Sequence, residues 1–218
     1  MTSSYTDPDF ATAALITIDT QCDVLDGGPL EIPGTSAALE PMSILAAAFR
    51  KAGRPIVHIV RLYDADGTNA DLCRRDSIER GSRFLETGAP GSQLAPPLLP
   101  SAEAQLDHEL LLAGKAQALG PQEVAIYKPR WGAFFETPLE DHLRAQSVTT
   151  VVFCGCNFPN CPRTSIYEAS ERDFRIVLVH DAISGLYERG EKELTNIGVQ
   201  LMSADAVIES LSLPAKAR

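Results

Sequence analysis

Short apolar runs alternate with amphipathic stretches along this chain. AALITI, 13–18, is apolar almost throughout and stops at Asp19, which predicts a buried strand. Leu39, Met42, Leu45, Ala46 and Phe49 recur at helical spacing, so 36–52 is predicted as a helix that stops at Gly53. PIVHIVRL, 55–62, is the second predicted strand. Residues 63–100 are rich in Gly, Pro and charge and show only a short helical piece near 70–80. So long a segment between regular elements points to a functional or interface role. Strands are predicted at EVAIYK (123–128), TTVVFC (149–154) and RIVLVHD (175–181), and helices at 137–146, 161–173 and 190–202. ADAVIES, 204–210, reads as a short last strand.

Continuous apolar strands alternating with helices predict a parallel sheet covered on both faces. The expected class is α/β, a parallel sheet of about six strands between two helix layers, as one domain over 1–218. In such sheets ligands bind beyond the carboxyl ends of the strands. The polar residues closing each strand are therefore the candidates for chemistry.

Composition narrows the partners. The formal net charge of −10 argues against nucleic acid and against an anionic membrane surface. MTSSYTDPDF at the start lacks the order of a signal peptide, and no apolar run is long enough to span a membrane. The odd count of 5 cysteines predicts reduced thiols in a cytoplasmic protein.

Three strand ends stand out. The first gives Asp19, Gln21 and Asp23, the third gives Lys128 and Arg130, and the fourth gives Cys161 at the start of a helix. A helix N-terminus and a lysine both favour a thiolate, and a carboxylate can take the thiol proton and pass it to a leaving amine. Pro162 suits the first helical turn but has no N–H. Oxyanion donors must then come from the Cys161 N–H and the loop before it. Taken singly, Asp19 could be a strand-end cap, Lys128 a surface lysine and Cys161 a small core residue. The spacing of Cys154, Cys156 and Cys161 matches no usual zinc pattern.

Three stretches resemble the isochorismatase-like cysteine hydrolases, a family that includes nicotinamidases, N-carbamoylsarcosine amidases, and ureidoacrylate and biuret hydrolases. They are ALITIDTQCDVL, YKPRWGAFFETPLEDHLRA and VVFCGCNFPNCPRTSIYEASERDFRIVLVHDA, in the family's order. The resemblance implies a Rossmann-like fold and a triad with Asp19 as base and acid, Lys128 as supporting cation and Cys161 as nucleophile. It implies a cis peptide at Cys156–Asn157 that turns the Asn157 N–H, with that of Cys161, into an oxyanion hole. It also implies a homo-oligomer acting on a small amide or ureido substrate.

Two departures bear on the substrate. Phe158 and Pro159 stand where many members have Thr-Asp. The metal site that nicotinamidases build from an Asp and two His has no counterpart in VRLYDADGTNADLCRR, so no metal and no other cofactor are expected. Gln21, Arg74, Arg75 and Arg130 are candidate substrate ligands, as is Trp131 with Phe134 and Phe158, which could equally be core. His58, His108, His142 and His180 share no spacing and are read as structural. The expected activity is cysteine-dependent cleavage of a C–N bond in a small, anionic-leaning substrate. The alternatives are vinyl-ether hydrolysis, which would be indifferent to Cys161, and a non-catalytic small-molecule-binding or thiol-sensing role.

Overall fold

Residues that are apolar on both sides of the backbone need a helix layer on each face, and the chain supplies both. The computed structural model describes residues 5–212. AALITI forms β1 (Ala13–Ile18), followed by α1 (Thr35–Lys51) and β2 (Ile56–Val60). The irregular segment carries α2 (Leu72–Glu79) and α3 (His108–Leu112). Then come β3 (Gln117–Gly120), β4 (Glu123–Tyr127), α4 (Leu139–Ala145), β5 (Thr150–Gly155) and α5 (Cys161–Ser170). The chain continues through β6 (Arg175–Ile183), α6 (Glu188–Asn196), β7 (Gln200–Met202) and α7 (Ala204–Ser212).

The sheet has 7 strands in the order β3-β4-β2-β1-β5-β6-β7. All pairings are parallel except β3 on β4. β1 lies at the centre, with β2 on one side and β5 on the other, so the connections reverse direction beside it. That reversal opens a crevice at the carboxyl ends of these strands.

Side chains alternate across a strand, and the core divides accordingly. Ala14, Ile16 and Ile18 of β1 pack with Leu139 and Leu143 of α4 and Ile166 and Ala169 of α5. Ala13 and Leu15 face the opposite way, onto Met42, Leu45 and Phe49 of α1 and Val207 of α7. Each of the larger side chains among these, Leu, Ile, Val, Met or Phe, contributes about 1.5–3 kcal/mol on burial.

Three expectations are corrected. The 204–210 stretch is helix α7, not a strand: Ala204, Val207, Ile208 and Leu211 recur at helical spacing against the α1 layer, and the Asp181 carboxylate accepts the Ala204 N–H. The preceding helix ends at Asn196, and Gly198, at a φ of 86°, turns the chain into the short β7. β7 takes the end of the stretch expected as helix 190–202, and the other strand without a predicted counterpart is β3, an edge strand whose residues QALG are only partly buried and so lack an apolar signature.

Candidate active site

Asp19 follows β1 directly, and its own backbone is part of the sheet: its N–H donates to the Ile59 carbonyl of β2 at 2.9 Å. It adopts a φ of 51°, a region that few non-glycine residues occupy and where Asp is among the better tolerated. Lys128 follows β4 and is tied the same way to the Val60 carbonyl at 3.0 Å. Cys161 opens α5, with Pro162 in the first turn. Gly155, at a φ of 121°, closes β5; a Cβ there would lie 2.3 Å from the Ile18 carbonyl oxygen. Only glycine lets β5 and β1 end side by side.

The three side chains meet. The Lys128 ammonium lies 2.9 Å from Asp19 Oδ2 and 3.3 Å from Cys161 Sγ, and donates to the Arg130 carbonyl at 3.1 Å. An ammonium has three donors, and each here has one acceptor. Lys128 is 1% exposed and Cys161 7% exposed. Burial works against the Lys128 charge, but the Asp19 carboxylate and the Cys161 sulfur outweigh it and raise the lysine pKa.

The thiol behaves differently from the sequence-based expectation. Its pKa is pushed up to about 12, chiefly by burial and then by the Asp19 carboxylate, with Lys128 pulling the other way. The helix start and the lysine do not yield a standing thiolate. A buried anion beside a carboxylate is too costly.

The Cys156–Asn157 bond is trans, and among the described residues no peptide bond is cis; this corrects the expectation drawn from the resemblance. The chain turns instead through Gly155 and through Asn160, at φ −114° and ψ −101°. The Phe158 N–H anchors this loop on the Ser184 carbonyl at 2.8 Å. Among the described residues, the N–H groups of Asn157 and Cys161 have no protein acceptor.

These residues line a cavity of ≈ 40 Å³. Asn157, Trp131 and Arg74 share its wall, with Leu30, Ile32 and Leu85 as the apolar part. Other candidates lie elsewhere. Gln21 is fully buried, its side chain donating to the Arg61 and Ser92 carbonyls and accepting the Arg61 N–H. It fastens β2 to the 90–94 turn and does not line the cavity. Phe134 packs on Phe174, and Phe158 meets Tyr187 edge-on at 5.3 Å; both are core. Arg75 and Arg130 line a neighbouring open groove and donate to backbone carbonyls, Arg75 to those of Thr68 and Ala70 and Arg130 to those of Asn69 and Pro129.

Sequence reasoning missed Arg61. It lines the cavity, is 4% exposed, pairs with Asp71, and donates to the Lys128 carbonyl at 2.7 Å. The Tyr63 hydroxyl also donates to Asp71, at 3.1 Å. An arginine inside an apolar strand end was the available signal, since such a charge must be paired. Cys156, weighed in the sequence only for zinc spacing and for the expected cis peptide, also lines the cavity, with Sγ 3.2 Å from the Asp19 carbonyl. All five cysteines are unpaired. Among the described residues, no group of three or more His, Cys, Asp or Glu is placed to hold a metal.

A family model described as the isochorismatase domain matches residues 13–205. Maleamate amidohydrolase of Pseudomonas putida is 32% identical over 173 residues, covering 78% of this chain and 71% of that protein. A protein of Arabidopsis thaliana described as a probable inactive nicotinamidase is 25% identical over 195 residues, covering 86% and 90%. Among solved structures, an isochorismatase family protein from Desulfovibrio vulgaris superposes with a TM-score of 0.75 at 27% identity, covering 93% of this chain and 99% of that one.

Proposed function

The chain belongs to the isochorismatase family, and within it we propose a cysteine-dependent hydrolase that cleaves a C–N bond in a small amide or ureido compound. The observation that carries this reading is the contact of one ammonium with both a carboxylate and a thiol on the wall of a cavity. The resemblance to a maleamate amidohydrolase, an enzyme named for an amide substrate, supports it.

The chemistry follows from the protonation states. Asp19, held by Lys128, takes the Cys161 proton as the sulfur attacks the carbonyl carbon. The C–S bond forms and the carbonyl electron pair moves to oxygen. The unspent N–H groups of Asn157 and Cys161 are available to hold that oxyanion, and α5 directs its N-terminus there. The oxyanion collapses, the C–N bond breaks, and Asp19 passes its proton to the departing nitrogen. Asp19 then takes a proton from water, which attacks the thioester. The sulfur leaves and recovers its proton. Because the resting thiol is neutral, proton transfer and attack are coupled, and no cofactor enters.

Ammonia release from a panel of small amides, ureas and carbamoyl acids tests this, with wild type beside Cys161→Ala. Release by wild type alone is expected. Release by a folded Cys161→Ala protein would rule out the thiol mechanism.

A further inference from the structure

Phe158 and Pro159 lie in the middle of the loop that carries the two unspent N–H groups, those of Asn157 and Cys161. The backbone of Phe158 is tied on both sides: its N–H donates to the Ser184 carbonyl at 2.8 Å, and its carbonyl accepts the Arg163 N–H of α5 at 3.2 Å. Its ring is fully buried and does not line the cavity. The ring meets Tyr187 edge-on at 5.3 Å and closes on Gly190 of α6, where a Cβ would stand 2.4 Å from ring atom Cε1 and 3.0 Å from Cζ. Glycine is disfavoured inside a helix, so α6 gives up helix propensity at the point where the ring needs the space. Arg163 clasps α5 to the start of α6 as well: it donates to the Tyr187 hydroxyl at 2.6 Å and pairs with Glu193 at 2.5 Å. Gly185, at a φ of 71°, lets the chain lie against the same loop; a Cβ there would be 3.2 Å from Pro159 Cδ and 3.6 Å from Asn157 Cβ.

We propose that Phe158 is a positioning residue: its ring, seated between Tyr187 and Gly190, holds the Asn157 and Cys161 N–H groups where the oxyanion forms. The role in chemistry rests on the hydrolase reading above; the seat itself does not. The ring stands clear of the cavity, so it acts only through the loop on either side of it. Backbone donors stabilise an oxyanion when they are fixed in place before charge develops, and a small misplacement forfeits much of the effect. The seat supplies that fixity from behind the loop, through packing against α6. It follows that crowding or emptying the seat weakens binding of the transition state and leaves the cavity walls that meet the ground-state substrate in place.

The test is a size exchange across the seat, read by steady-state kinetics on an amide the enzyme hydrolyses and by hydrogen exchange of the peptide spanning 155–161. Gly190→Ala crowds the ring and should lower kcat about tenfold or more while KM stays within about twofold. Adding Phe158→Leu to it removes the clashing ring atoms and should restore most of kcat. Phe158→Ala empties the seat instead and should show the same kcat-against-KM split. Exchange of the 155–161 amides should quicken in Gly190→Ala and in Phe158→Ala and slow again in the Gly190→Ala, Phe158→Leu protein. A fall in urea midpoint with kcat unchanged, a rise in KM alone, or a folded double variant with no recovery would each overturn the positioning role. Exchange that responds as expected in a protein that hydrolyses no amide would leave the seat and remove the hydrolase reading. Hydrolysis with kcat and loop exchange indifferent to Gly190→Ala and Phe158→Ala would do the reverse.

Discussion

Asp19 and Lys128 are a buried ion pair whose members are costly to separate. Removing one strands the other charge, at about 3–5 kcal/mol. Lys128→Met should therefore lower stability by that order as well as activity, read by urea unfolding; an unchanged midpoint would contradict the pairing. Asp19→Asn keeps the shape but cannot take a proton, so kcat should fall about 10²- to 10⁴-fold. The raised Cys161 pKa has a defined sign: an acid with a raised pKa is more protonated at any given pH. At neutral pH the thiol of the free enzyme is therefore neutral, and iodoacetamide should alkylate Cys161 more slowly than a free cysteine, whose pKa is roughly 8.5. Fast alkylation with a midpoint below that of free cysteine would contradict it. Asp19 and Lys128 were legible in the sequence because each closes or directly follows an apolar run, and Cys161 because Pro162 marks the helix start beyond the fourth predicted strand. The wall of the cavity was not. Gln21 resembles a pocket residue in sequence yet spends all its hydrogen bonds on Arg61 and Ser92, and nothing in the sequence marks the direction of Phe134 or Phe158.

At the level of elements, the site depends on three strand ends held level. Gly155 sets one of them, because any side chain there meets the Ile18 carbonyl one residue before Asp19. Gly155→Ala should cost at least about 2 kcal/mol and reduce kcat, since the shift moves Asp19 against Cys161. Native-like stability and activity together would show that β1 and β5 can part without consequence. Strands with uniformly apolar residues were legible, since period and burial agree in β1, β2 and β5. β3 was not, because an edge strand with half-buried residues has no pattern to read. α7 was misjudged because ADAVIES taken alone suits either state; only the added Leu211 completes the helical stripe against α1. The 63–100 segment gave α2 its place but not its role, since Arg74 and Leu85 reach the cavity through contacts made far along the chain.

Across the whole molecule, one buried relay ties the layers together. The Arg50 guanidinium of α1 and His58 of β2 both bond Glu123 of β4, at 2.6 and 2.7 Å, and His58 meets Thr17 of β1 at 2.8 Å. Burial would raise the Glu123 pKa, but the hydrogen bonds from Arg50 and His58 outweigh it and lower it from 4.5 to about 2. A depressed carboxylate contributes its stability above its unfolded pKa and loses it as pH falls through its folded one. Glu123 should thus add about 3 kcal/mol near neutrality, fading between 4.5 and about 2. Urea midpoints across that range should fall more steeply for wild type than for Glu123→Gln; parallel slopes would contradict the relay. The central claim, that the Cys161 sulfur carries the acyl group, is tested most directly by mass spectrometry of enzyme quenched in acid during turnover of an amide it hydrolyses. The account predicts the mass of the acyl group on the peptide holding Cys161, lost on treatment with hydroxylamine and absent from Cys161→Ala. Turnover with no adduct at that peptide, and undiminished in Cys161→Ala, would contradict it.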